Sequence, residues 1–117
     1  MGHMAKAQEL GVALGRTDEY QAVKRSIEAA DGDRELAALR TELEGIEGRI
    51  QASLKAGEEP DAETAAAYEE AVSRLQASAT YQRLVAAQSN FDKLMTKVNQ
   101  AIAQGMEEGG QSRIILA

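Results

Sequence analysis

The chain has 117 residues, 19 acidic against 13 basic side chains, a formal charge of −6, no cysteine, no tryptophan and a single histidine. One domain fits that length. The missing thiols and near-absent imidazole remove the usual nucleophiles, neutral-pH acid–base groups and transition-metal ligands, and the acidic balance argues against gripping a phosphate backbone.

Met1-Gly2-His3 reads as a tag remnant ahead of a native start at Met4, and it takes the one histidine with it. Alanine holds 22 positions, and the aromatic set is one Phe and three Tyr. Small side chains suit close helix packing but bury little area each, so a single copy has a thin core, and association with a second copy is the natural remedy. No apolar run reaches the ~18 residues a membrane span needs. No signal peptide is visible either, which makes the cytoplasm the expected compartment.

Apolar spacing is helical almost throughout. A first helix, about Met4 to Gly15, places Ala7, Leu10 and Leu14 on one face. Thr17 offers an N-cap hydroxyl for a second, with Asp18 and Glu19 in its first turn and Tyr20, Val23, Ile27 and Ala30 as its stripe. Asp31-Gly32-Asp33 ends it, Gly32 as a left-handed stop and Asp33 as the next cap. The third helix, about Arg34 to Ala56, carries a heptad-like seam of Leu36, Leu39, Leu43, Ile46, Ile50 and Leu54.

Gly57-Glu-Glu-Pro60 closes that helix, and Asp61 caps a fourth from Ala62 to about Ser78, with Tyr68, Val72 and Leu75 as its face. The last, about Tyr81 to Met106, has the strongest pattern. Leu84, Gln88, Phe91, Met95, Val98 and Ile102 form one row, and Ala87, Leu94 and Ala101 widen it past a coiled-coil seam, enough to meet more than one neighbour. Gly105, Gly109 and Gly110 are expected to end the helix. Residues 109–117 then form a flexible tail, or dock Ile114, Ile115 and Leu116 onto a neighbouring subunit or partner.

Several constellations reduce to structure. Asp31 to Glu42 has oxygen ligands at calcium-loop spacing, but the sixth position, which needs glycine, is Leu36. Glu42, Glu44, Glu47, Glu69 and Glu70 lack the histidines of a carboxylate di-metal bundle. Gly11 and Gly15 mark close helix approach or a helix end. Gly45 and Gly48 each cost ~1 kcal/mol inside a helix, which points to another helix crossing there, from this chain or a second subunit, or to a bend. Gln88 sits in the apolar row and is either buried or at its edge; Asn99 is expected to be buried and set register. The three tyrosines read as partial core with wet hydroxyls.

In this order, Asp18-Glu19-Tyr20-Gln-Ala-Val-Lys24, Asp33-Arg-Glu-Leu36, the Gly57–Pro60 turn, Tyr81-Gln-Arg-Leu-Val-Ala-Ala-Gln88, Phe91 and Val98-Asn99-Gln-Ala-Ile102 resemble the YlbF/YmcA family of small helical bacterial regulators. The resemblance covers about Ala7 to Met106. It implies an all-helical, dimeric cytoplasmic protein without catalysis of its own. Such a protein would act with partner proteins in competence, sporulation and biofilm control, and support RNA processing by a membrane-attached endoribonuclease. Some relatives hold an iron–sulfur cluster on cysteines that this chain lacks, so no cofactor is carried over. Ala79-Thr80 stands where the family often has proline, which leaves open a continuous helix across that junction.

The expectation is therefore all-α: residues 4–108 form one helical domain, short N-terminal helices followed by an antiparallel hairpin or bundle of long helices, and pair as a homodimer. The candidate core and interface residues are Leu84, Gln88, Phe91, Met95, Val98, Asn99, Ile102, Leu39, Leu43 and Ile46. The partners expected are a second copy and other proteins, without membrane and without direct nucleic-acid binding. An RNA-processing factor and a carboxylate metal protein are the alternatives.

Overall fold

The computed structural model describes residues 2–116, with side chains through residue 111. Among these residues there are five helices and no strand: α1 (Gly2–Gly15), α2 (Asp18–Asp31), α3 (Arg34–Lys55), α4 (Ala62–Ala77) and α5 (Ala79–Leu116). The fold is all-α. The chain forms two compact units, Lys24–Ala86 on the one hand and Met1–Val23 with Ala87–Ala117 on the other.

The unit Lys24–Ala86 is built on a helical hairpin of α3 and α4. Leu39, Leu43 and Ile46 from the heptad-like seam meet Ala71 of α4, with Ile50, Ala67, Val72 and Leu75 packed around them. Ala71 is fully buried and Tyr68 is 37% exposed, so α4 turns Ala67 and Ala71 to its partner together with the expected Val72 and Leu75, and leaves Tyr68 at the edge. A methyl group at the contact lets two helix backbones approach more closely than a phenol ring would. A second cluster joins Ala30, Leu36 and Leu84, covered by Leu75 and Tyr81. Leu54, the last seam position, is 62% exposed.

Turn chemistry sets the boundaries. Asp33 is extended (φ −90°, ψ 105°), and its Oδ1 accepts from the Leu36 N–H at 3.0 Å, the expected N-cap of α3. Asp61 caps α4 in the same way, accepting from the Thr64 N–H at 2.7 Å. Gly57 has φ +76°; its N–H donates to the Leu54 carbonyl at 3.1 Å and the Glu58 N–H to the Ser53 carbonyl at 2.9 Å, the paired bonds of a Schellman stop. Gly32 does not share this conformation, contrary to expectation. Its N–H simply continues the α2 ladder to the Glu28 carbonyl, and Asp33 turns the chain by itself.

The junction after α4 is a break, not a continuous helix. Ser78 is extended (φ −68°, ψ 121°), its N–H donates to the Leu75 carbonyl, and its Oγ accepts from the Tyr81 N–H at 3.2 Å. One serine thus closes α4 and opens α5, supplying by hydrogen bonding what a proline supplies by fixing φ.

In the unit of Met1–Val23 and Ala87–Ala117, Thr17 is the hinge between α1 and α2. Its hydroxyl donates to the Leu14 carbonyl at 2.6 Å and accepts from the Tyr20 N–H at 3.1 Å, while the Gln21 amide donates to the Gly15 carbonyl at 2.9 Å. The Tyr20 ring meets Phe91 edge-on, centroids 5.8 Å apart. The helix α5 passes through Gly105, Gly109 and Gly110 to Leu116, where the sequence places its end near Met106. No glycine there takes a positive φ and the one proline is Pro60, so each residue merely weakens the helix without redirecting it. The expected tail side chains Ile114, Ile115 and Leu116 lie outside the described ones.

Ile46 is 1% exposed at the centre of the hairpin. Ile46→Ala should lower the unfolding free energy by about 2–5 kcal/mol, read as a reduced urea midpoint at constant slope. Ala71→Leu should also destabilise, by about 1–3 kcal/mol, because there is no room for the added carbons.

Candidate interaction surface

All eight buried residues of the described chain lie between Ala30 and Ala87. Outside that stretch the apolar faces are open. No residue of α1 is buried; Ala7, Met4, Leu10 and Val12 stand exposed and Leu14 is half-buried. On α5, Phe91, Leu94, Met95 and Val98 are half-buried, and Ile102 (46% exposed) and Met106 (72%) prolong the same row into solvent. A 14-residue helix with nothing buried is at the length where isolated helices are marginal in water, so its stability must come from packing. Each large aliphatic side chain that becomes covered contributes about 1.5–3 kcal/mol.

The residues singled out from sequence fall into three groups. Leu39, Leu43 and Ile46 belong to the α3–α4 core, and Leu84 to the cluster with Ala30 and Leu36. Phe91, Met95 and Val98 are half-buried on α5. Gln88, Asn99 and Ile102 are exposed. Asn99, expected to be buried, is exposed beside the half-buried Val98, so it sets no register from a buried position within the described residues. In place of Gln88 the adjacent Ala87 is buried, at 6%. Gly45 and Gly48 likewise face open space. A Cβ on either would meet nothing within 4 Å, so no described helix of this chain crosses α3 there.

Sequence reasoning missed a groove of about 500 Å³ between the start of α3 and the end of α4. Leu36, Ala38, Leu39 and Ala77 line it with carbon, and Asp33, Glu35, Glu42 and Arg74 carry its charge. Arg74 Nη2 lies 2.7 Å from Glu42 Oε1, with both side chains about half exposed (51% and 45%). Such a pair is screened and worth little to stability. The signal available in sequence was the 3-4 spacing of Glu35, Ala38 and Glu42; that Arg74 and Ala77 face them depends on how the hairpin closes.

Two carboxyls titrate below their ordinary value of 3.8. The Leu36 N–H lowers Asp33 most, followed by the Thr80 hydroxyl and the Glu35 N–H. Asp61 is lowered by the Thr64 N–H, then the Thr64 hydroxyl, with a contribution from the Arg49 charge. Both stay ionised because helix-start donors point at them. Among the described residues no three acidic or histidine side chains converge as a metal site, and no helix is long and apolar enough to cross a membrane.

The described residues thus form an all-α protein with a helical hairpin of α3 and α4 and with exposed apolar side chains on α1 and α5. Residues 4–107 match the family described as control of competence regulator ComK, YlbF/YmcA, and the chain belongs to that family. It is also similar to a UPF0342 protein of Bacillus mycoides (strain KBAB4), 28% identical over 102 residues that cover 87% of each chain.

The depressed carboxyls give a signed expectation. Their stabilisation is fully present above 3.8 and is lost as pH falls through the lowered values. Asp33→Asn combined with Asp61→Asn keeps both cap acceptors but removes the titration. Urea midpoints between about pH 2 and 6 should therefore fall less steeply on the acid side than in the parent chain.

Proposed function

We propose that this chain is a non-catalytic homodimeric regulator or adaptor of the cytoplasm that acts through protein–protein contacts. The observation carrying this reading is the placement of every buried residue between Ala30 and Ala87, which leaves apolar stripes on α1 and on α5 beyond Val98 with no cover from the described residues of their own chain. A second copy is the covering partner available to any such chain, and Asn99 and Ile102 then fall at an interface. The family's description as a control of a competence regulator supports a regulatory role, with support of RNA processing as the finer expectation within it. The chain would contribute by holding partner proteins, since 19 acidic against 13 basic residues disfavour gripping RNA directly.

Sedimentation of the purified chain at micromolar concentration should give twice the 12.5 kDa chain mass. Ile102→Asp with Met106→Asp should shift it to one chain mass and leave most of the helical signal in place. A monomeric parent chain overturns the homodimer. A gel shift with RNA at physiological salt overturns the assignment of RNA contact to a partner.

A further inference from the structure

The glycines of α1 and distal α5 adopt no positive φ, yet they fall in matched places. Ala7, Gly11 and Gly15 recur at every fourth residue of α1, and Ala101, Gly105 and Gly109 do the same on α5. Residues four apart share a helix face, so each series forms a shallow furrow of small groups. A Cβ on Gly11, Gly15, Gly105 or Gly109 would meet nothing within 4 Å, and Ala7 and Ala101 are exposed. Glycine weakens a helix interior, and one chain recovers nothing for it here among the described residues.

A ridge of large aliphatic side chains flanks each furrow. Leu10 and Leu14 form it on α1, and Ile102 and Met106 form it on α5. The order around the two helices is reversed. On α1 each ridge residue comes one position before its furrow neighbour; on α5 it comes one position after. An antiparallel approach therefore lays each ridge in the other helix's furrow, whereas a parallel approach sets ridge on ridge.

The antiparallel register puts Leu10 opposite Gly105 and Leu14 opposite Ala101, with Ile102 between Gly11 and Gly15. It also brings Lys6, on the ridge flank of α1, to Glu108 on the furrow flank of α5. Both are exposed, and neither has an ion-pair partner among the described residues. Such an exposed pair favours one direction of approach more than it adds strength.

We propose that α1 of one copy seats antiparallel on residues 101–109 of α5 in a second copy, ridge into furrow. This rests on the homodimer proposed above and specifies which helices meet, in which direction and at which residues. A second copy is the occupant because no residue of α1 is buried by its own chain and the α5 furrow stands open there. A two-fold pair makes the contact twice.

Glycine substitution separates this contact from folding. Gly105→Leu and Gly11→Leu each raise helix propensity but fill a furrow. Each should raise the dimer dissociation constant at least tenfold in sedimentation, with helical circular dichroism undiminished. The cysteine-free sequence supplies a second readout. Leu10→Cys protein mixed with Gly105→Cys protein under mild oxidation should form the disulfide between chains at least tenfold faster than with Glu107→Cys, which faces away. Leu10→Cys and Gly105→Cys placed in one chain should give a doubly linked pair of chains; closure within a single chain overturns the second copy as occupant. A stable dimer that ignores both glycine substitutions, or cross-links equally at Glu107→Cys, sinks the ridge-and-furrow contact and leaves the homodimer standing. A monomeric parent chain sinks both.

Discussion

The packing of Ile46, Leu43 and Leu39 against the methyl group of Ala71 is the contact from which the rest of this structure follows. It brings α3 and α4 close enough to share a core. Its small size also limits it. Alanine gives close approach and little buried area, so a hairpin built this way cannot cover long neighbouring helices as well. The apolar faces of α1 and distal α5 stay open among the described residues.

Those open faces give the family membership a physical sense. A regulator needs a surface that is stable enough to present and unfinished enough to bind. The buried residues are concentrated between Ala30 and Ala87, and the helices outside that stretch expose apolar side chains among the described residues. Gly45 and Gly48 fit the same logic, since they weaken α3 with no compensating contact among the described residues.

Much of the fold is legible in the residues because the signals are local. The caps at Thr17, Asp33 and Asp61 and the stop at Gly57 each depend on atoms within a few residues. The buried seam of Leu36, Leu39, Leu43 and Ile46 follows from period alone. Sequence and structure part where one residue type can act in two ways. Gly32 carries the same freedom as Gly57 but continues a ladder, and Gly105, Gly109 and Gly110 stay helical because nothing nearby offers a competing turn. Ser78 is equally ambiguous, because a serine reads as a cap only once the chain is known to turn there.

The sequence by itself determined the helical class, the order of the elements and most of their caps, since a 3.6-residue period and side-chain to backbone hydrogen bonds are written in neighbouring residues. Tertiary structure alone decided that Ala71 and not Tyr68 faces α3, that Ala87 and not Gln88 is buried, and that Arg74 meets Glu42 across a groove. Those outcomes depend on the distance and rotation between helices. Summed packing over residues far apart in the chain sets that distance and rotation, and no local pattern encodes them.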